Sequence, residues 1–370
     1  MLRQRRKLCR ISASVKVNLR DNRDCIPIPC LVPVDFTLAL VILLALYFAY
    51  TDGFQVGSSV PASAIGCRAL TPLQAVALAA TCELGGALLG GSAVANTVTG
   101  ITSWPARTDL LPVLLAGLLS ASLWNHLMRR LKQPSSSTHA LFGGLLGGVF
   151  AGGAGAQYIV WGNVGSIVNS TGVCKVVLSL ILSPLLGILV GYATMRIATF
   201  LLVRATTRIT PVIEKLQWLT VGTLAFSHGA NDSQKAMGVI MLALIAAGLP
   251  PGPIPLWVRL ATGAAIALGV ASMAPGIVKR VGTQIFRLRP LHGLATQTSA
   301  AGIIFTASAA GGPVSTTQVI ASSVMGVGSA ARLKGVHWAA AQEMIFGWLL
   351  TIPGTALLAW LIEAAISKAL

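Results

Sequence analysis

Apolar runs of membrane-spanning length recur along this chain, and no other feature constrains its fold as strongly. A helix needs about 20 predominantly apolar residues to cross a bilayer. Only 10% of the 370 residues are charged, whereas a soluble domain has about 25%. The pattern therefore predicts an all-α integral membrane protein that spans the cell membrane (plasma or inner) many times. We place membrane segments near 34–50, 73–92, 110–131, 173–197, 256–278 and 338–364.

Shorter apolar stretches between these segments are interrupted by Gly, Pro, Ser and Asn. They lie near 53–67, 134–156, 216–248 and 291–327. Polar backbone at membrane depth is tolerated only where protein buries it or water reaches it. We therefore predict broken or re-entrant helices that line a site or a path, and about 10–12 transmembrane segments in total.

Two pairs of motifs indicate an internal duplication. The stretch "QPSSSTHALFGG" resembles "GPVSTTQVIASS", and aligning Pro134 with Pro313 gives an offset of 313 − 134 = 179 residues. A weaker pair, "TDGFQVGSSVPASA" and "FSHGANDSQKAMGV", aligns Val56 with Asp232 at an offset of 232 − 56 = 176. Two nearly equal offsets predict that each half of the chain folds into the same unit.

The basic residues indicate how the two halves are oriented. Loop 129–132 carries three basic residues, whereas its counterpart, 308–311, carries no charge. Lys and Arg collect in cytoplasmic loops, so equivalent loops that differ in charge are expected if the repeats are inverted. On this basis we place loops 129–132, 204–215 and 279–289 on the cytoplasmic side. Inverted repeats with paired broken helices are typical of transporters, which bind substrate where the repeats meet.

The predicted organisation has a tail, two repeats and a linker. The first 23 residues hold eight of the 27 basic residues. Such a segment is either disordered or in contact with anionic lipid. We assign 1–33 to a basic, disordered tail, 34–203 to the first transmembrane repeat, 204–215 to a basic cytoplasmic linker and 216–370 to the second repeat.

Each half contains a proline followed by hydroxyl residues, "PSSST" at 134–138 and "PVSTT" at 313–317. Proline fits the first turn of a helix, and Ser or Thr can cap its start. The free N–H groups and the dipole of a helix start favour an anion. Alternatively, the hydroxyls only bond to their own helix or pack helices together. The duplication favours an oxyanion site, with the candidate ligands Ser136, Ser137, Thr138, Ser315, Thr316 and Thr317.

A second polar stretch, "AFSHGANDSQKAMG", lies in apolar surroundings. A charge at the centre of a membrane helix costs ~2.5–3.5 kcal/mol on insertion scales. Asp232 and Lys235 are three residues apart and could form a purely structural ion pair. Alternatively, Asn231 and Asp232 ligate a small cation, or Asp232 carries a proton. His228, Gln234 and Lys235 are possible accessory residues, and a histidine can titrate near neutral pH.

Other classes of function have little support. The five His are scattered and the six Cys form no CxxC pair, so we predict neither a metal site nor a bound cofactor. Ser136 and His139 lack a third partner for a nucleophilic triad, so the chain is not expected to be an enzyme. The basic residues form no patch interleaved with aromatic residues, which argues against nucleic-acid binding.

The two motifs resemble those of a known family. "SHGANDSQKAMG" is similar to the Gly-Ala-Asn-Asp signature of the inorganic phosphate transporter (PiT) family, and "PSSSTH" and "GGPVSTTQ" resemble its duplicated Pro-x-Ser-[Ser/Thr]-Thr motif. The similarity covers residues 36–364. It implies a symporter of inorganic phosphate driven by H⁺ or Na⁺, embedded in membrane lipid and often a homodimer. It also allows a neutral metal–phosphate complex as the substrate.

The resemblance implies roles for individual residues. The six hydroxyl residues named above, together with Asn231 and Asp232, would surround phosphate. Asn231 and Asp232 would also contribute to the coupling-ion site, as would Glu83 in "ATCELGGALLGG". The alternative for Glu83 is an acid tolerated at a helix end.

The first half departs from the family pattern. The family repeats an Asn-Asp or His-Asp pair there, but "DGFQVGSS" places Gln55 and Val56 at those positions. Val56 cannot ligate a cation, and Asp52 lies four residues earlier, on the same face of a helix. We predict that Asp52 partly replaces the missing carboxylate, and that H⁺ coupling or a smaller number of Na⁺ ions is favoured. The alternatives are a permease for sulfate or another tetrahedral oxyanion, and a transport-impaired membrane sensor.

Overall fold

The computed structural model describes residues 36–103, 110–152, 155–164 and 169–369, and this part of the chain is almost entirely helical. The predicted tail, 1–33, lies outside the described residues. The helices are α1 Phe36–Gln55, α2 Ala62–Gly66, α3 Pro72–Leu89, α4 Ala93–Thr99, α5 Leu110–Arg130, α6 Ser137–Ala151, α7 Gly172–Leu201, α8 Thr210–Ala246, α9 Leu256–Ala271, α10 Pro275–Lys279, α11 Pro290–Ala309, α12 Thr316–Arg332 and α13 Trp338–Ala369.

The long apolar helices coincide with the six predicted membrane segments. A bent pair of helices, Leu256–Ala271 and Pro275–Gln284, meets at 70° and counts as one of these segments. The all-α membrane fold is therefore confirmed. The remaining helices are shorter or more polar, so the larger number of spans and the inverted relation of the repeats stay predictions. Five helical segments of the described chain are long and apolar enough to cross a membrane, the first of which includes α1, the 3₁₀ turn and α2: Phe36–Gly66, Pro72–Leu89, Leu110–Arg130, Gly172–Leu201 and Trp338–Ser367.

Three of the four predicted interruptions are present. Helix α1 ends at Gln55, and a 3₁₀ turn, Gly57–Ser59, follows it before α2. The chain is also non-helical immediately before α6 and between α11 and α12, where Pro134 and Pro313 lie. Proline has no N–H to donate and cannot continue a preceding helix, which explains both of these breaks.

The predicted break within 216–248 is wrong, because α8 is continuous from Thr210 to Ala246. The only proline of α8 lies at its start, and the Ala, Met, Gln and Lys residues of the polar stretch favour a helix. Neighbouring helices supply partners for the polar side chains, so the backbone does not need to unwind. Helix α8 also begins inside the predicted linker 204–215, which makes the connection to α7 shorter than expected.

Helix α8 lies at the centre of the bundle, and residues 227–244 are buried without exception. It approaches α3 closely at two glycines. A Cβ atom on Gly86 would lie 2.1 Å from the Phe226 carbonyl oxygen, and one on Gly229 would lie 2.1 Å from the Glu83 carbonyl oxygen. Only glycine permits backbones this close. The contact places Glu83 beside the polar stretch of α8.

The two helices that begin with hydroxyl residues have similar surroundings. Helix α6 packs against α5 and α13, and helix α12 packs against α11 and α7. Each therefore has a long apolar helix, α13 or α7, behind it. This correspondence fits the predicted duplication.

The basic loops lie on one side of the bundle. The Lys132 side chain, after α5, packs against Gly276 in α10. Near the start of α8, Gln217 Nε2 donates to the Pro290 carbonyl oxygen at 3.0 Å. These contacts bring together the three loops that carry most of the basic residues outside the tail. That this side faces the cytoplasm stays a prediction.

Candidate functional site

The first turns of α6 and α12 meet in the interior of the protein. Ser136 caps α6, since its Oγ accepts from the His139 N–H at 3.2 Å. Ser315 caps α12 in the same way, accepting from the Gln318 N–H at 3.4 Å. Thr138 Oγ1 donates to the Val314 carbonyl oxygen at 3.0 Å and joins the two starts directly. Both positive helix ends therefore point into one region.

A cluster of charged side chains from three helices lies next to these starts. It comprises five side chains with at most 1% exposure, which we call the charge cluster: Asp52 of α1, Glu83 of α3, and His228, Asp232 and Lys235 of α8. Charges buried this deeply are costly unless they are paired. The free-energy cost of burying these charges must therefore be offset by their pairing, and the cluster lies where the sequence predicts a site.

Histidine 228 connects two carboxylates of the cluster. Its Nδ1 lies 2.9 Å from Glu83 Oε1, and its Nε2 lies 3.2 Å from Asp232 Oδ2. The i, i+4 spacing aligns His228 with Asp232 on α8, and the close approach of α3 supplies Glu83. The imidazole thus bridges α3 and α8, and the chain Glu83–His228–Asp232 offers a continuous series of proton-binding groups.

Lysine 235 contacts carboxylates of α1 and α8 and hydroxyls of α6. Its Nζ lies 2.9 Å from Asp232 Oδ2 and 3.6 Å from Asp52 Oδ2. It also donates to Ser137 Oγ at 3.1 Å and to Thr138 Oγ1 at 2.9 Å. The predicted accessory lysine is therefore a central member of the site.

The second helix start contacts the cluster through a different pair of residues. Thr316 Oγ1 donates to Asp232 Oδ1 at 3.0 Å, and Asn231 Nδ2 donates to the Gly312 carbonyl oxygen at 3.1 Å. Asp232 therefore faces Thr316 of α12 while Lys235 faces α6. The predicted hydroxyl residues thus lie at two helix starts that contact Asn231 and the acids. Ser136 and Ser315 cap their own helices, and the buried Thr317 hydroxyl has no hydrogen-bond partner within the described chain.

Several buried oxygen atoms at the site lack a hydrogen-bond partner within the described chain. They are Asp52 Oδ1, Glu83 Oε2, Asn231 Oδ1 and Thr317 Oγ1. Buried polar groups are nearly always hydrogen-bonded. When the two acids are ionised, the oxygens of Asp52, Glu83 and Asn231 can accept hydrogen bonds but cannot donate them. A cation or a ligand with a hydrogen to donate would satisfy them.

A resident metal ion fits this pocket poorly. Asp52, His228 and Asp232 each bring one ligand atom within 4.8 Å of the others, as a cation site requires. However, the Lys235 ammonium contacts the carboxylates of Asp52 and Asp232. A fixed positive charge there repels a divalent ion from the same oxygens. These ligand atoms suit an ammonium or another monovalent cation better than a divalent metal ion.

Two glutamines make structural contacts that the sequence did not predict. Gln234 accepts from the Val94 N–H at 2.9 Å and donates to the Gly90 carbonyl oxygen at 3.0 Å, so it holds the start of α4 and lies outside the charge cluster. Gln55, which the sequence marked only as a departure from a motif, donates to the Gln133 carbonyl oxygen at 2.8 Å and to Ser135 Oγ at 3.3 Å. Gln55 thus fixes the end of α1 to the start of α6. The sequence feature that could have predicted this contact is the position of Gln55 at the end of a predicted broken helix.

A cavity of about 1420 Å³ lies elsewhere in the described structure, and its wall does not include the charge cluster. It opens on the side of the basic loops, and Gly66, Cys67 and Pro275 form part of its wall. The buried charges of the cluster, and not the size of this cavity, identify the candidate site. The cavity wall contains no acidic residue and five basic ones: Arg68, Lys279, Arg287, Arg289 and Arg332.

Comparison with known proteins gives consistent matches. The model of the phosphate transporter family matches residues 53–213 and 204–359. A probable low-affinity inorganic phosphate transporter of Bacillus subtilis (strain 168) is 34% identical over 86% of this chain and 94% of its own length. The protein with the same description in Rhizobium meliloti (strain 1021) is 33% identical over 88% of this chain and 96% of its own length.

The fold also matches a solved structure. A protein described as the sodium-dependent phosphate transporter superimposes with a TM-score of 0.77 and 24% identity. The match covers 90% of this chain and 100% of that one. At this identity the comparison establishes a common fold.

Proposed function

Because the chain belongs to the phosphate transporter family, we propose that it is a symporter that carries inorganic phosphate and a cation together across the membrane. It is a multi-pass protein of the cell membrane and a transporter, not an enzyme. The observation that carries the proposal is the meeting of two capped helix starts at Thr138 and Val314, beside the buried charges of α8.

We place the phosphate between the first turns of α6 and α12. The first N–H groups of a helix have no acceptor within that helix, so they are free to bind an anion. The hydroxyls of Ser137, Thr138, Thr316 and Thr317 add donors without adding a charge that would hold the anion too tightly. Opening of the site would release the Ser137, Thr138 and Thr316 hydroxyls from their present partners.

The acceptor atoms of the site favour phosphate over sulfate. Phosphate carries about −1.5 to −2 charges at neutral pH, so a proton remains on part of the population. Asp232 and the free Asn231 Oδ1 can accept a hydrogen bond from that proton. Sulfate has no proton to donate and would face these acceptors unpaired.

The coupling cation would be a proton, or a smaller number of Na⁺ ions than a fully acidic site requires. Asp52, Glu83 and Asp232 provide negative charge, but Lys235 already neutralises part of it. The dependence on sodium stated for the structural relative is a property of that protein. The alternative of a sensor without transport is less favoured, because a sensor does not require buried acids joined to both helix starts.

We further propose that the protein acts as a homodimer in lipid and needs no bound cofactor. Leu189 of α7 and Phe346 of α13 are 65% and 67% exposed, as suits helix faces that contact lipid or a second copy. A metal–phosphate complex is the alternative form of the substrate. Mass measurement of the protein in detergent and uptake with and without Mg²⁺ test these two points.

Uptake of radioactive phosphate into vesicles containing the purified protein tests the function. We expect uptake that excess sulfate does not inhibit and that persists when Na⁺ is replaced by choline at fixed pH. Asp232→Asn should abolish coupled uptake, while Glu214→Gln, on the same helix but outside the cluster, should leave it intact. Equal inhibition by sulfate would indicate a general oxyanion permease. Phosphate binding without uptake would indicate a sensor.

A further inference from the structure

Lysine 235 is one of the largest fully buried side chains of the described structure. A lysine in such surroundings normally loses its proton or pairs with an acid. Here the ammonium is enclosed by charged and hydroxyl groups instead of lying on an apolar surface. Its role therefore has to be sought in the atoms that surround it.

Those atoms are all oxygens, and they come from three helices. The distances from Nζ are 2.9 Å to Asp232 Oδ2 and 3.6 Å to Asp52 Oδ2. The hydroxyls of Ser137 and Thr138 follow at 3.1 and 2.9 Å. Carboxylate and hydroxyl oxygens are the ligands that hard cations take. An ammonium is a compact, strongly hydrated point charge and can replace such a cation.

The charge balance shows what the ammonium changes. The three carboxylates of Asp52, Glu83 and Asp232 and the ammonium of Lys235 together carry a formal charge of −2 when His228 is neutral. Without the ammonium the charge would be −3. A phosphate of about −1.5 to −2 charges then adds to a site that is already negative. Each fixed positive charge removes the need for one imported cation.

The two repeats are unequal at this position. With the offset of 176 residues, Lys235 corresponds to Ser59. The Ser59 side chain is uncharged and fully buried, and its hydroxyl has no hydrogen-bond partner within the described chain. Only the second repeat therefore supplies a positive charge, on a side chain that cannot leave with the substrate.

We infer that the Lys235 ammonium is a tethered cation that takes the place of one coupling Na⁺ and so determines the ion specificity of the transporter. The inference rests on the proposed function as a phosphate symporter. A direct contact between Lys235 and phosphate is the competing role. Two of the four oxygens around Nζ belong to carboxylates, so its charge is directed at the acids of the site rather than left open to an anion.

Two substitutions separate these roles. Lys235→Ala removes the charge and leaves space for an ion, whereas Lys235→Met removes the charge and fills the space. We expect Lys235→Ala to lose uptake in choline and regain it in Na⁺, with a Na⁺-to-choline ratio at least roughly tenfold above wild type, about 1.4 kcal/mol. Lys235→Met should remain inactive in both media. Lys215→Gln, exposed on the same helix, should behave as wild type.

Thermal unfolding in detergent provides a readout that does not depend on transport. Na⁺ should raise the Tm of Lys235→Ala in a concentration-dependent way, because an ion that binds only the folded state stabilises it. The increase should be much smaller for wild type and for Lys235→Met. This measurement still tests the inference if wild type carries no phosphate, a result that would overturn the proposed function alone.

Two results would overturn the inference. One is a wild type whose uptake and Tm depend on Na⁺ as strongly as those of Lys235→Ala. The other is a Lys235→Ala protein that folds but gains neither uptake nor Tm from Na⁺ and shows a raised KM for phosphate in both media. That second pattern would assign Lys235 to the phosphate itself.

Discussion

Replacement of Asp52 by Asn tests whether this residue substitutes for the carboxylate that Val56 cannot provide. The side chain is fully buried, and its Oδ2 lies 3.6 Å from Lys235 Nζ. Asn has nearly the same volume and keeps one acceptor, so the packing of α1 should survive. The change therefore removes charge and little else, and we expect impaired coupling in a folded protein.

The magnitude follows from the distances around Lys235. At an effective dielectric constant near 20, opposite charges 3.6 Å apart attract by about 5 kcal/mol, and those 2.9 Å apart by about 6 kcal/mol. Removing one partner of a buried pair costs about 3–5 kcal/mol. Asp232 remains beside the ammonium, and Asp52 no longer has to be desolvated. We therefore expect a net loss of about 2 kcal/mol, which corresponds to roughly 30-fold in an equilibrium constant.

Two assays on the same preparation measure this effect. If the attraction between Asp52 and Lys235 stabilises the transporter with phosphate bound, vesicle uptake should show a fall in kcat/KM for phosphate of roughly 30-fold. Unfolding in detergent should show a Tm lower by several degrees. Glu343→Gln, which removes an exposed acid, serves as the control. Normal uptake with an unchanged dependence on pH and Na⁺ in Asp52→Asn would refute the assignment of Asp52 to the site.

Three further variants test other parts of the structure. Gly229→Ala should destabilise the protein by about 1–3 kcal/mol, because the new Cβ would meet the backbone of α3. Gly222→Ala is the control, since its Cβ would have its nearest neighbour at 3.4 Å, and equal Tm values would contradict the close approach of α3 and α8. Thr317→Val removes a hydroxyl without a partner in the described chain, so stability should change by less than about 0.5 kcal/mol while the KM for phosphate rises. An unchanged KM would remove Thr317 from the phosphate site. The double change Arg287→Gln with Arg289→Gln should raise the KM at low ionic strength and have little effect at high salt, if the basic cavity attracts the substrate. A salt-independent change would count against that attraction.

The sequence was informative wherever a local property decides the structure. Lengths of apolar runs located the six membrane segments, because a bilayer requires a fixed helix length. Prolines 134 and 313 marked two helix starts, because proline cannot continue a preceding helix. Both prolines lie two residues before the capping serine and not in the first helical turn, where the sequence suggested them. The hydroxyls that follow them cap those helices as expected. None of these inferences needed knowledge of neighbouring segments.

The sequence was uninformative where the partner of a polar group comes from another helix. The stretch around Asp232 suggested a broken helix, yet the backbone is intact because Thr316, Lys235 and His228 satisfy the carboxylate. The Glu83–His228 contact depends on the approach of α3 and α8 at two glycines, and 145 residues separate the two side chains along the chain. Pairing across such a distance is a tertiary property.

The departures in the first half and the lysine in the second half are best understood together. A duplicated site with an acid from each repeat would hold two carboxylates near the phosphate and would need cations to balance them. In this chain Val56 removes one acid, Asp52 returns a carboxylate from one turn earlier, and Lys235 binds both Asp52 and Asp232. Because the ammonium lies between carboxylates from the two predicted repeats, the loss of either acid leaves the lysine less well paired. The three side chains therefore act as one unit, and the effects of Asp52→Asn and Lys235→Met in a double variant should be smaller than the sum of the single effects.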